Sequence, residues 1–183
     1  MSTASTFEVP RYGDDGLFPD KRGWMSVPIT VMFWALVFTI VYFATRDIAI
    51  EDSVAATGYI AALLITFILV IFFAIPTLTL SIGRYLDDGT AKYPPWRAGL
   101  TFALTGLLLG TVPAVFIYMV NNAYGWLPFT QLMIPSAVAP WLTCVILDAT
   151  MARRGLRTFV LTFTGIVVVG SLSIGVSVFT GRI

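Results

Sequence analysis

The sequence predicts an all-α integral membrane protein, a bundle of five transmembrane helices with its amino terminus cytoplasmic and its carboxyl terminus outside. Three observations carry that reading. Residues 98–147 contain no Asp, Glu, Lys, Arg or His. A helix facing water needs a polar side, and this run has none. It is also too long for one crossing of a hydrocarbon layer about 30 Å thick, which takes roughly 20 helical residues. The second observation is composition: the 183 residues are 57% hydrophobic and 11% charged, with mean hydropathy +0.87. Such values place the chain in the polytopic membrane class. The third is the placing of the basic residues, which alternates along the chain.

The elements follow in order. Residues 1–24 form a polar cytoplasmic arm with four acids, Glu8, Asp14, Asp15 and Asp20, and turn formers Pro10, Gly13, Gly16 and Pro19. An arm this short orders on a partner or stays solvated. The first apolar run, residues 25–45, is longer than the roughly 7–15 residues of a signal-peptide core, so it is expected to be a retained span. After the charged link Arg46, Asp47, Glu51 and Asp52, the second span covers residues 57–82, and Pro76 predicts a kink in it. Residues 83–97 form a loop with Arg84, Asp87, Asp88, Lys92, Pro94 and Pro95. The third and fourth spans, 98–120 and 127–147, share the uncharged run and part at Asn121-Asn122-Ala123-Tyr124-Gly125. A basic link then leads to the fifth span, residues 158–180. Residues 25–183 thus make up one transmembrane domain.

Charge sets the orientation. Arg11, Lys21, Arg22, Arg84, Lys92, Arg97, Arg153, Arg154 and Arg157 fall in alternate segments, leaving only Arg46 and Arg182 between them. Basic residues concentrate on the cytoplasmic side of membrane proteins, which fixes the expected topology. Were the fourth stretch merely re-entrant, Arg153, Arg154 and Arg157 would be stranded outside. Aromatic residues agree: Trp24, Tyr85, Tyr93 and Trp96 flank one boundary and Tyr42, Tyr59, Tyr118, Tyr124 and Trp126 the other. Trp34 and Trp141 lie deeper and read as packing residues.

Composition also narrows the chemistry. Histidine is absent, which removes the commonest general base and metal ligand. The single cysteine, Cys144, falls within an apolar span. A net charge of +1 gives no footprint for nucleic acid. No cofactor, metal site or catalytic residue is expected, and the chain is expected not to be an enzyme. Asp87-Asp88-Gly89-Thr90-Ala91-Lys92 resembles the opening of the CDP-alcohol phosphotransferase signature, whose aspartates imply a metal beside a diphosphate. Its alanine comes one place early, lysine stands for arginine, and no acid follows before Asp148. A solvated turn is therefore expected there. A lipid-modifying enzyme using Asp87 and Asp88 is the weakest of the functional readings.

Three further groups stand out. Gly106, Gly110 and Ala114 are spaced four apart, giving a flat helical face for close helix packing. A looser stripe in the fifth span comprises Thr158, Thr162, Gly165, Ser173, Ser177 and Thr180. Asp148, at the inner edge of the fourth span, is expected to pair with Arg153 or Arg154. Pro135 and Pro140 flank Ser136 and free backbone carbonyls within the fourth span, marking a kink or cavity. Ser136, Thr143, Thr105, Thr111, Asn121 and Gln131 are the residues able to line it.

Ion-coupled transport normally places titratable groups within the membrane, and the span centres have none. The expected function is a non-catalytic accessory or assembly subunit of a larger membrane complex, of respiratory or cell-envelope type. The alternative is a small permease or exporter for a neutral or lipidic solute. The expected partners are the lipid bilayer and other membrane subunits. The short loops suggest a bacterial plasma membrane as its location.

Overall fold

The computed structural model describes residues 21–45, 53–87, 95–120 and 125–180, all but a few of them helical. Most of the amino-terminal arm, Asp88 and Asn121 lie outside the described residues. The elements are α1 (Lys21–Thr45), α2 (Ser53–Leu69), a π-helical turn (Val70–Ala74), α3 (Ile75–Asp87), α4 (Pro95–Val120), α5 (Leu127–Ala152) and α6 (Arg154–Phe179). The α2, π and α3 pieces run on as one rod, so among the described residues five helices are long and apolar enough to cross a membrane. At about 1.5 Å per residue, each exceeds a hydrocarbon core of about 30 Å.

Each helix extends beyond the apolar stretch that marks it. The first begins at Lys21, not residue 25, and the fourth runs to Ala152, past residue 147. Hydropathy marks where lipid ends, whereas backbone hydrogen bonding continues into the interface, where long charged side chains reach water. Pro95 opens α4, where its missing N–H costs nothing. Arg153 alone separates α5 from α6, in an extended conformation (φ −111°, ψ 107°).

The break in the second span has a definite cause. Pro76 has no N–H for the Phe72 carbonyl, and its ring would crowd that oxygen. The backbone widens just before it, and the Ile75 N–H reaches back five residues to the Val70 carbonyl. Six α-helical turns take about 22 residues. From Tyr59 to Ile82, the buried positions Leu63, Phe67, Ile71, Ile75 and Leu78 make six such turns with one residue extra. The π turn absorbs that residue and keeps one face of the rod on the core.

The fourth span is the centre of the bundle: 44% of it is buried, against 11% of the fifth. α4 and α1 pack along α5, α3 packs on α1, and α6 lies against α1 and α2. Trp34 fills the middle, its ring 4.7 Å from Phe67 and 5.1 Å from Phe38. Val31, Leu63, Ile117 and Leu132 complete this cluster, and Ile29, Leu147 and Val160 form a second toward the arginine-rich end. Leu104, Leu108, Phe116 and Met119 of α4 point outward, as do Ile166 and Val176 of α6. In water such surfaces would drive aggregation; among lipid chains they are already solvated.

Candidate functional site

Pro135 and Pro140 lie inside α5, which stays α-helical through both. Each lacks the N–H that would meet the carbonyl four residues earlier, so the Gln131 and Ser136 carbonyls lose their helical donors. Gly106 of α4 sits directly on the Ser136 carbonyl, and a side chain there would collide with it. The Gly106 Cα hydrogen takes that place and faces the oxygen, a weak but recurrent contact between close helices. A Cβ on Gly110 would lie 2.9 Å from the Leu132 carbonyl and 2.9 Å from Ser136 Oγ. One on Gly99 would meet Trp141 Cδ1 at 2.7 Å. Ala114 is fully buried. The Gly106, Gly110 and Ala114 face is thus turned inward on α5, and Gly99 extends it. Sequence reasoning missed Gly99, although its seven-residue spacing from Gly106 was a usable signal.

A line of polar side chains runs along the buried face of α5. Gln131, Ser136, Thr143 and Thr150 are all buried. The Trp34 indole N–H donates to Ser136 Oγ at 3.0 Å. Thr30 and Thr143 hydroxyls meet at 2.6 Å. Thr143 donates to the Ala139 carbonyl at 2.8 Å, so Thr30 is the donor between them. Tyr59 donates to Gln131 Oε1 at 3.0 Å, and Gln131 Nε2 donates to Thr45 Oγ1 at 2.9 Å. One amide therefore joins three spans. Nearer the arginine-rich end, Ser26 Oγ lies 2.5 Å from the Thr79 carbonyl and 2.6 Å from that of Gly23. Thr164 of α6 donates to the Pro28 carbonyl at 2.8 Å.

The other residues named from sequence fall elsewhere. Thr105 is exposed and bonds the Thr101 carbonyl of its own helix. Thr111 is half-buried and bonds the Leu107 carbonyl of its own helix. Asp148, Arg153 and Arg154 are exposed where α5 meets α6. Cys144 is buried against Leu78 and Ile82 of α3. Asp87 closes α3. Among the described residues no group of three His, Cys, Asp or Glu side chains comes together. Trp34 packs in the interior as its depth in the first span suggests, but its hydrogen bond and those of Thr30, Thr45 and Tyr59 were not foreseen, because a hydroxyl or indole in an apolar run carries no mark of its partner.

A cavity of about 20 Å³ lies between the two helix breaks. Thr30, Trp34, Ser136 and Pro140 bound it on one side, and Val70 and Ala74 of the π turn on the other. Its walls are apolar apart from two hydroxyls and the indole. A wider groove of about 390 Å³ separates α2 from α6, lined by Ile65, Ile68, Leu69, Leu172 and Val176. Among its described lining residues the one hydroxyl, that of Thr180, is turned to the Val176 carbonyl of its own helix. The site is chemically a set of neutral hydroxyl, amide and indole groups that bond one another across spans. Comparison of the chain with protein-family models, with curated proteins and with solved structures finds no match.

Proposed function

We propose that the chain is a non-catalytic accessory or assembly subunit of a larger membrane complex, respiratory or envelope-building, in a bacterial plasma membrane. Its amino terminus faces the cytoplasm and its carboxyl terminus the outside. The observation that carries this reading is how the buried polar groups of α5 are used. Ser136, Thr143 and Gln131 bond to α1 and α2, so the polar groups inside the bundle tie spans together. A rigid core presenting apolar outer faces suits a subunit whose task is to be a shaped surface.

The test is in-situ crosslinking in native membranes, then affinity purification in mild detergent and mass spectrometry. Membrane subunits crosslinked to the chain in fixed ratio are expected. A monodisperse lone chain, or a self-oligomer without other proteins, overturns the proposal.

The second reading is a small permease or exporter for a neutral or lipidic solute, and the cavity against Pro140 is its one support. A solute path needs a polar lumen reaching that depth, whereas this cavity is about 20 Å³. Solute flux across vesicles carrying only the purified chain would establish the permease and displace the subunit reading.

A further inference from the structure

We infer that the cavity between the π turn and the Pro140 break is a binding site for one water molecule, bridging Ser136 and Thr30. Ser136 Oγ accepts the Trp34 indole N–H. Its own O–H reaches no acceptor among the described residues; the Leu132 carbonyl, the usual acceptor for a helical serine, does not receive it. Thr143 spends its proton on Ala139 and Thr30 spends its proton on Thr143. Thr30 Oγ1 therefore retains an unused acceptor. Both residues are more than nine-tenths buried.

One donor without an acceptor and one acceptor without a donor thus border the same cavity. Its volume of about 20 Å³ exceeds the roughly 10–15 Å³ that a single water requires. A water accepting from Ser136 and donating to Thr30 completes both. The apolar walls of Val70, Ala74 and Pro140 give an ion or a larger polar solute nothing to bind. The water belongs where two irregular helices meet, since a side chain or water filling the gap is a usual companion of a helix break.

The full chain, labelled with ¹⁵N at the tryptophan indoles and placed in bilayers of deuterated lipid, allows a direct test. The Trp34 indole resonance is assigned by its disappearance in Trp34→Phe. In the wild type it is expected to show a cross-peak to a slowly exchanging water. Ala74→Val fills the cavity and leaves every hydroxyl in place, so the cross-peak should vanish while the indole shift stays dispersed. Thr30→Val removes the acceptor and should weaken the cross-peak severalfold. Absence of the cross-peak from the wild type overturns the assignment. So does its persistence at full strength in Ala74→Val, which would trace it to hydroxyl exchange.

Discussion

At the scale of single residues, glycine has opposite meanings in α4 and α6. Gly106 stands where any side chain would strike the Ser136 carbonyl, whereas Gly165 has nothing within 4 Å of its Cβ position. Gly106→Ala must push α4 off α5, and forcing atoms into a filled contact costs about 1–3 kcal/mol. Gly165→Ala should gain up to about 1 kcal/mol from helix propensity. Thermal unfolding in detergent should show a lowered midpoint for the first and an equal or raised one for the second. Equal midpoints would mean that α4 and α5 do not touch through backbone. The Gln131 amide gives a second prediction. Tyr59→Phe and Thr45→Val each remove one bond to it, and hydrogen bonds between membrane helices average about 0.6 kcal/mol. Each change should cost roughly 0.5–2 kcal/mol, and the double variant should show coupling because both bonds share one amide. Strict additivity would argue that Gln131 is not shared. The glycine spacing was legible in the sequence because four-residue periodicity is a property of one helix. The Trp34–Ser136 and Thr30–Thr143 pairs were not legible, since each joins residues more than a hundred positions apart.

At the scale of elements, the five spans were readable because lipid demands about 20 apolar residues per crossing and little else. Pro76 marked a break but not its form. A kink and an added residue look alike in sequence, and the choice depends on which register keeps Phe67 and Ile82 on one face. That difference yields a prediction about deletions. Phe73 is exposed within the π turn. Removing it takes out the one residue that the widened turn accommodates, so both halves of the rod keep their buried faces. Removing Leu108 from the unbroken α4 rotates everything beyond it by about 100° and drags Ala114 and Ile117 off the core. The first deletion should retain a monodisperse chromatographic profile and cooperative unfolding, with a modest loss of stability. The second should lose both. If the Phe73 deletion collapses as Leu108 does, the extra residue lies elsewhere.

For the whole molecule, burial and charge describe the same object from two directions. The fourth span is enclosed by the others and the fifth is held chiefly by one side. This gradient could not be read from hydropathy, because a lipid-facing leucine and a core leucine have the same transfer energy. Charge, by contrast, is read directly from sequence. Arg97, Arg153, Arg154 and Arg157 fall at one end of the bundle because α4 and α6 begin there and α5 ends there. The start of α1 with Lys21 and Arg22 and the part of α3 that carries Arg84 lie at the same end, and along the sequence nine of the eleven basic residues fall in the alternate segments expected on that side. Moving them across the bilayer is opposed by the mechanism that retains positive loops in the cytoplasm. A reporter that fluoresces only in the cytoplasm should therefore glow when fused to the amino terminus and stay dark at the carboxyl terminus. An enzyme active only after export should behave the other way round. Replacing Arg153, Arg154 and Arg157 together with glutamine removes a third of the bias, concentrated at one hairpin, and should yield a mixed population at the carboxyl terminus while the amino terminus stays inside. A carboxyl terminus found wholly in the cytoplasm in the unaltered chain would leave an even number of crossings and contradict the five-span bundle at its root.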